Sequence, residues 1–157
     1  YCQMYREQYG LEVVITRFAN VYGLRCHGVI HDLLEKLAKN PDKLEIIGTG
    51  KQCRDFVHVS DVVAALVYLG KKEGIAGEFY NLGLGKTTSI LELADLILSI
   101  LNLENRTRVT TTGVSWQGDV SKIWFDITKA KKELGWTPKV TLEESIKEVI
   151  ADRKIKI

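Results

Sequence analysis

Two short segments place polar side chains in otherwise apolar surroundings, where a binding site is expected. In RFANVYGLR, residues 17–25, Asn20 follows a run of β-branched residues, and its amide is placed to orient a ligand. In GTGKQCRDFVHVSD, residues 48–61, Arg54 stands at the exit of a loop and suits a two-pronged contact with a phosphate. Each residue has a structural alternative: Asn20 can close a turn, and Arg54 can pair with Asp55 or another carboxylate.

The glycine-rich stretch NLGLGKTTS, residues 81–89, resembles a phosphate-binding loop in composition but not in spacing. Tyr80 occupies the position where a Walker-type loop carries its first glycine. The stretch instead joins a predicted strand to a predicted helix. We therefore predict a strand-to-helix turn, a position that can line a ligand site in an open α/β fold.

The side chains that most often bind metals or attack substrates show no recognisable arrangement. No histidine stands at metal-ligand spacing from a carboxylate or a thiol, so surface or packing roles are predicted for His27, His31 and His58. An odd number of cysteines without a CxxC pair is typical of reduced thiols in a cytoplasmic protein: Cys2, Cys26 and Cys53. We expect neither a metal site nor a disulfide framework.

Composition indicates a globular protein. A chain of 157 residues with 45% hydrophobic residues can bury one substantial core, so a single domain is the default. A net charge of +2 is nearly balanced, which argues against a dedicated nucleic-acid binder. No apolar run is long enough to span a membrane, so a soluble cytoplasmic protein without nucleic-acid or membrane partners is expected.

Hydrophobic periodicity predicts strands that alternate with helices, as in an α/β fold with right-handed crossovers. The predicted strands are EVVITRF, KLEIIG, GEFYNLG and RVTTTG, and Val13, Val14 and Ile15 suit a strand buried on both faces. The predicted helices lie within HGVIHDLLEKLAKN, SDVVAALVYLGKK, SILELADLILSIL, DITKAKKELGW and TLEESIKEVIADR. Both EVVITRF and GEFYNLG run into Asn and Gly, so their carboxyl ends should share the ligand edge of a parallel sheet.

Capping residues predict where several helices begin and end. Two capping boxes are visible: Ser89 with Glu92, and Thr141 with Glu144. Ser60 or Asp61 is expected to cap the helix in SDVVAALVYLGKK. The first helix, YCQMYREQY, ends at Gly10, but no capping residue precedes Tyr1. We infer that the chain begins inside a helix and is the later piece of a longer protein.

Four motifs in register carry a family resemblance. RFANVYGLR resembles the R-x-x-N-V-Y-G-P-R segment of extended short-chain dehydrogenase/reductases, the NAD-dependent nucleotide-sugar epimerases and dehydratases, and GTGKQCRDFVHVSDV resembles their G-D-G-x-Q-x-R-D-F-V-Y-V-x-D-V segment. FYNLGLG is similar to the family's V-Y-N-I-G-x-G, and KKELGWTPKVTLEESI to its closing L-G-W-x-P-x-x-x-L-E-E-G-L. The match covers nearly the whole chain, and UDP-glucose 4-epimerases are the most similar group within the family.

The resemblance implies that residues 1–157 form the carboxyl-terminal part of an NAD(P)-binding Rossmann-like fold together with a small α/β substrate-binding domain. The first helix is similar to the tail of the family helix that carries the catalytic Tyr-x-x-x-Lys pair. That pair, and the G-x-x-G-x-x-G turn that holds NAD, would then belong to an amino-terminal half that this sequence lacks. We therefore expect no catalytic residue in this chain and no activity from it alone.

The resemblance also assigns ligand contacts residue by residue. It places two side chains near the nicotinamide of NAD: Phe18 and Val21. It assigns the nucleotide-sugar contacts to Asn20, Val29, Ile30, Leu33, Glu45, Ile47, Arg54, Phe56 and Asn81. Asn20 and Arg54 would hold the phosphates. The backbone at Glu45 and Ile47 would meet the base edge, and Phe56 would lie close to the sugar.

Two positions depart from the family pattern. Leu24 stands where the family usually has Pro, which removes some rigidity from a turn. Trp116 stands where many relatives have the Arg of R-P-G-D, so a second phosphate contact is lost unless Arg106 or Arg108 replaces it. The loop WQGD, residues 116–119, is in a position to close over a ligand.

The sequence thus predicts the substrate-binding portion of an NAD-dependent UDP-glucose 4-epimerase-like enzyme. It would anchor the nucleoside diphosphate while the sugar is oxidised and re-reduced at C4, and the full-length protein would be a homodimer. Three alternatives stay open: a dehydratase or decarboxylase of the same family, a stand-alone nucleotide-sugar-binding module, and a chain that only completes a dimer.

Overall fold

The computed structural model describes residues 1–25 and 27–153, so the prediction for Cys26 lies outside the described residues. Helices and short strands alternate, which confirms the α/β prediction. The helices are α1 (Cys2–Tyr9), α2 (Val29–Lys39), α3 (Val59–Leu69), α4 (Ile90–Leu101), α5 (Thr128–Leu134) and α6 (Leu142–Asp152). The strands are β1 (Ile15–Phe18), β2 (Asn20–Tyr22), β3 (Lys43–Ile46), β4 (Cys53–Arg54), β5 (Phe56–His58), β6 (Phe79–Leu82), β7 (Thr88–Ser89), β8 (Arg108–Thr111) and β9 (Lys122–Ile123). Within this part of the chain, none of the helices combines the length and apolarity needed to cross a bilayer.

Parallel pairing dominates the sheets. β1 pairs with β6, β2 with β5, and β3 with β8, all in parallel. β4 lies between β9, which is parallel to it, and β7, which is antiparallel. Phe18 stands opposite Leu82 at the end of the first pair. Because parallel strands point the same way, the carboxyl ends of β1 and β6 meet at one edge, as the sequence predicted.

The main hydrophobic core fills the space around α2, α4 and α6. Leu33 and Leu37 of α2 pack with Leu93 and Ile97 of α4 and with Ile146 of α6, all almost completely buried. The spacing of three or four residues places each pair on one helical face. Burying one such side chain contributes roughly 1.5 to 3 kcal/mol. This core therefore fixes α2, whose amino end reaches the candidate site.

The predicted caps are confirmed, with one exception. Both capping boxes are formed, at the starts of α4 and α6, and Gly10 ends α1 in the left-handed region with φ of 67°. The prediction for α3 was wrong, because His58 caps this helix by accepting the backbone N–H of Ser60. The Asp61 carboxylate instead accepts two backbone N–H groups from the segment that leads into α6. Asp61 therefore joins two distant parts of the chain.

β1 is less buried than the sequence predicted. Val13 and Val14 precede the strand, Ile15 is half-buried, and Arg17 and Phe18 are exposed. The prediction of burial on both faces was therefore wrong. Consecutive side chains of a strand point to opposite faces, and both faces are open at the end of β1, where Arg17 and Phe18 are exposed.

Candidate ligand-binding site

A cavity of about 650 Å³ opens where the carboxyl ends of β2 and β3 meet the amino end of α2. Strand β4 and the loop between β8 and β9 close another side of it. The edge that follows parallel strands is where α/β proteins commonly bind ligands. The volume suits an organic ligand of moderate size. This cavity is therefore the candidate site.

Most of the predicted contact residues line this cavity. They come from segments far apart in sequence, which the fold brings together: Asn20, Val21, Val29, Ile30, Leu33, Ile47, Arg54 and Phe56. The remaining predicted contacts do not line it: Phe18, Glu45 and Asn81. The two polar segments that the sequence singled out therefore converge on one site.

The three residues outside the cavity have other surroundings. Phe18 ends β1 with 41% of its surface exposed, next to the cavity wall. Asn81 donates a hydrogen bond from Nδ2 to the carbonyl of Asp126 at 3.0 Å. The Glu45 carbonyl accepts a bond from Nζ of Lys36 at 3.1 Å. Asn81 thus has a structural partner, while Glu45 approaches the cavity only through Lys36, which lines it.

Arg54 is held in place but retains unused hydrogen-bond donors. Its Nη1 donates to the carbonyls of Cys53, at 2.8 Å, and Val120, at 2.6 Å. Its Nη2 donates to Oδ1 of Asp119 at 2.5 Å. A guanidinium has five N–H donors, so Nε–H and one N–H of Nη2 remain without a partner among the described residues. These donors can bind an anion such as a phosphate.

Asp119 forms an ion pair with Arg54 in the candidate site, and the sequence did not predict this pairing. The pair is mostly enclosed, with side-chain exposures of 15% for Arg54 and 8% for Asp119. The sequence offered Asp55 or another carboxylate as the alternative partner, and the structure identifies Asp119. The two residues lie far apart in the chain, and only the parallel pairing of β4 with β9 brings them together.

Asn20 meets the cavity with its side chain free. Its backbone N–H donates to the carbonyl of Asp55 at 2.9 Å, which fixes the start of β2. Its side chain is exposed, lines the cavity and has no hydrogen-bond partner within residues 1–25 and 27–153. A turn-closing role requires such a bond, so the geometry favours the interpretation of Asn20 as a ligand contact.

The glycine-rich loop before α4 binds an internal carboxylate. The backbone N–H groups of Leu84 and Gly85 donate to Asp55 at 2.7 and 3.1 Å, and Phe125 adds a third bond at 3.3 Å. Asp55 is 1% exposed, and burial raises its pKa although these three bonds oppose the shift. The loop is a strand-to-helix turn, as predicted, and two of its amides, those of Leu84 and Gly85, already bind Asp55.

Two titratable groups of the wall, His31 and Tyr22, are neutral. Nε2 of His31 donates to the Gly23 carbonyl at 3.0 Å, and burial lowers the pKa of this histidine. Burial raises the pKa of Tyr22 to about 12. Both groups are therefore uncharged near pH 7, and the net charge of the wall depends on its ion pairs.

The three histidines have different surroundings. His27 is exposed and lines the cavity, His31 is buried in its wall, and His58 packs edge-on against Tyr22. In the part of the chain that the structure describes, no cluster of His, Cys, Asp and Glu is arranged to hold a metal ion.

Residues 1–149 match the protein family described as GDP-mannose 4,6 dehydratase. The chain belongs to this family. A putative UDP-glucose 4-epimerase from Methanocaldococcus jannaschii is 38% identical over 156 residues, which cover 96% of this chain and 48% of that protein. Other relatives carry the names dTDP-D-glucose 4,6-dehydratase, from Bos taurus, and UDP-glucuronic acid decarboxylase 1, from Arabidopsis thaliana.

Solved structures of epimerases show the same fold. The UDP-glucose 4-epimerase of Thermotoga maritima, with UDP-glucose, is 33% identical with a TM-score of 0.85, covering 98% of this chain and 50% of that one. The UDP-glucuronic acid 4-epimerase of Bacillus cereus, in complex with UDP-glucuronic acid and NAD, is 27% identical with a TM-score of 0.83, covering 99% and 49%. The chain thus spans about half the length of these relatives.

The departure from the family pattern at Trp116 is not compensated by the arginines that the sequence suggested. Nε of Arg106 pairs with Asp42 at 2.6 Å, and Arg108 begins β8. Both lie at the amino end of this strand, whereas the loop with Trp116 follows its carboxyl end. That suggestion was therefore wrong, because the direction of β8 carries the arginines away from the cavity.

The spacing Tyr-x-x-x-Lys, which marks the family's catalytic pair, occurs in this chain at Tyr68 and Lys72 and was missed in the sequence. At the end of α3, Nζ of Lys72 lies 3.4 Å from the Tyr68 hydroxyl. Neither residue lines the cavity that contains Arg54. The position also differs from the family resemblance, which places the pair upstream of α1.

Proposed function

We propose that this chain is the substrate-binding portion of an NAD-dependent nucleotide-sugar epimerase, of the UDP-glucose 4-epimerase type. The observation that carries the proposal is that Arg54 and Asn20 present unused hydrogen-bonding groups to one cavity. Together they bind the diphosphate of a UDP-sugar. A fixed diphosphate keeps the nucleotide in place while the sugar turns between its oxidation and its reduction at C4.

The apolar residues of the cavity provide the remaining contacts. Val29, Ile30 and Leu33 lie on the first turns of α2 and form one wall. The backbone near Ile47 meets the edge of the base, and Phe56 lies close to the sugar. These contacts position the ligand, and no residue of this site takes a proton from it.

The residues of this chain suit only the nicotinamide end of NAD. Val21 lines the cavity, and Phe18 is exposed directly before Ala19, which also lines it; both are apolar, which suits the face of a nicotinamide ring. Two amides of the glycine-rich loop, those of Leu84 and Gly85, already bind Asp55, so we do not assign the cofactor's pyrophosphate to this loop. When bound, NAD accepts a hydride from the sugar and returns it. Its main binding site belongs to an amino-terminal NAD-binding half.

The domain assignment follows from this division. Residues 1–157 comprise the last Rossmann elements and the substrate-binding domain, without the catalytic Tyr-x-x-x-Lys pair. We expect the chain alone to be inactive. Incubation with UDP-glucose and NAD, followed by absorbance at 340 nm and by separation of UDP-glucose from UDP-galactose, tests this. Turnover above a buffer blank would contradict it.

The homodimer expected for the full-length protein would use α1. This helix has no buried residue, and the exposed rings of Tyr5 and Tyr9 lie 5.3 Å apart on one face. Sedimentation velocity of the purified chain and of Tyr5→Ser/Tyr9→Ser tests this face. Equal association by both proteins would exclude it.

Calorimetric titration with UDP, UMP and uridine tests the binding function. If Arg54 and Asn20 hold phosphates, affinity should decrease in that order. Inorganic pyrophosphate should also bind, more weakly than UDP. Equal affinity for the three nucleotide probes would remove the role of the phosphates. No binding of UDP in the millimolar range would overturn the proposed function.

A dehydratase is the second candidate, because relatives in this family carry that name. The same anchoring of a nucleoside diphosphate serves a dehydratase or a decarboxylase. Titration with dTDP beside UDP separates the ligands: tighter binding of dTDP would favour the dehydratase. Binding of either ligand by the full-length protein without turnover would instead indicate a non-catalytic nucleotide-sugar-binding module.

A further inference from the structure

Trp116 is an exposed aromatic residue at the edge of the cavity. Its side chain is 66% exposed and lines the cavity together with Arg54 and Asp119. Its indole N–H has no hydrogen-bond partner in the part of the chain that the structure describes. Trp136, in contrast, donates from Nε1 to the carbonyl of Asp61 at 3.2 Å. Trp116 therefore has no evident role in holding the fold.

The loop that carries Trp116 is anchored at both ends. At its start, the N–H of Gly113 donates to Gly48 at 2.9 Å, and the N–H of Gly48 donates to Oγ1 of Thr112 at 2.8 Å. At its end, Arg54 binds both Asp119 and Val120. A side chain on such a loop is presented to the cavity in a restricted position.

An apolar surface lies next to the indole. Ile47 is 56% exposed and lines the cavity directly before Gly48. A Cβ on Gly48 would collide with the side chain of Ser115, the residue before Trp116, and the N–H of Gly113 bonds to the Gly48 carbonyl, so the two segments lie side by side. Ile47 and Trp116 are thus two exposed apolar side chains on neighbouring segments, and both line the cavity together with the charged Arg54.

We infer that Trp116 contributes to ligand affinity by stacking on the nucleobase of the ligand. The inference rests on the proposed function, since it assigns a part of the nucleotide to this rim. Indole and base are both planar, and stacking of this kind is insensitive to which base is present. Affinity gained here comes from the base and not from a second cation on the phosphates.

Calorimetry with UDP and with inorganic pyrophosphate separates these contributions. Trp116→Ala should weaken UDP binding about tenfold, in the range measured for loss of one base-stacking aromatic residue, and leave pyrophosphate binding unchanged. Trp116→Phe should retain most of the affinity. Trp124→Ala is the matched control, because Trp124 is also exposed, at 52%, but does not line the cavity.

Indole fluorescence gives a second measurement. UDP should quench the emission of the wild type more than pyrophosphate does, and Trp116→Phe should lose this quenching while it still binds UDP. Unchanged UDP affinity in Trp116→Ala, or an equal loss of UDP and pyrophosphate binding, would overturn the stacking role. If the wild type binds no UDP at all, the proposed function fails and the stacking role fails with it.

Discussion

Arg54 and Asp55 are neighbours in sequence, but their side chains lie in two different regions. Arg54 keeps N–H donors without a partner, whereas the Asp55 carboxylate is hydrogen-bonded at both oxygens. Arg54 lines the cavity and has two N–H donors that no described residue accepts. Asp55 faces the glycine-rich loop, and its carboxylate accepts two backbone N–H groups of that loop and a third from Phe125. Arg54 can therefore still form hydrogen bonds with a ligand, while the hydrogen-bonding positions of Asp55 are taken by the protein itself.

The hydrogen-bond partners of a polar residue thus distinguish a structural role from a role in ligand binding. Buried polar groups in proteins are almost always satisfied by protein or water partners. Donors left open beside a cavity are therefore available to a ligand. The glycine-rich loop illustrates the converse, since its amides do bind an anion, but that anion is the protein's own Asp55.

Removal of the Arg54 side chain should give the largest effect. In Arg54→Met, Asp119 is left as a nearly buried carboxylate without its partner, so the free energy of unfolding should fall by about 3 kcal/mol. Urea denaturation measures this change. Arg54→Met/Asp119→Leu should recover most of the stability and still bind UDP far more weakly than wild type. A double variant as unstable as the single one would exclude the ion pair as the cause.

Substitution of Asp55 tests its three hydrogen bonds to backbone amides. In Asp55→Asn, an NH₂ group faces at least one of the amides that the carboxylate accepts, which should cost about 2 kcal/mol of unfolding free energy. Chemical denaturation provides the value. Asp95→Asn is the matched control, because Asp95 is exposed on α4. Equal stability of the two variants would show that the three amides do not depend on Asp55.

Asn20→Ala should have the reverse pattern. The Asn20 side chain has no partner in the described residues, so stability should change by less than about 0.5 kcal/mol. UDP affinity should fall about fivefold, the equivalent of one hydrogen bond. Asn105→Ala, which alters an exposed amide away from the cavity, should change neither quantity. A loss of stability at unchanged affinity would restore the turn-closing interpretation of Asn20.

The smallest expected effect is a pH dependence at Asp55. Burial raises the pKa of this carboxyl above its ordinary value of 3.8. Its contribution to stability is therefore complete below that value and is lost as pH rises through the raised pKa. The stability of wild type relative to Asp55→Asn should decrease from acidic to neutral pH. An increase in denaturation experiments would mean that the three amides outweigh burial.

Local signals in the sequence predicted much of the fold. The capping boxes of α4 and α6 depend on residues three apart, so nothing distant was needed to find them. The burial of β1 was mispredicted, because an apolar run indicates a strand but not how many neighbours it has. The cap of α3 was also missed, since a histidine ring takes the place of a short polar side chain.

The candidate site was predictable where a motif carried it and not where distant contacts create it. Arg54 and Asn20 lie in recognisable segments and do converge. Asp119 becomes the partner of Arg54 only through the pairing of β4 with β9. Lys36, on α2, lines the cavity because its side chain reaches the carbonyl of Glu45. No local pattern specifies either relationship.

The parallel pairing has a consequence for how the chain acquires this structure. Every paired strand finds a partner far along the chain, and the described residues contain no hairpin between consecutive strands. Such contacts close long loops before they gain stability, which slows folding. During synthesis, the pair of β1 with β6 cannot form until β6 has emerged from the ribosome.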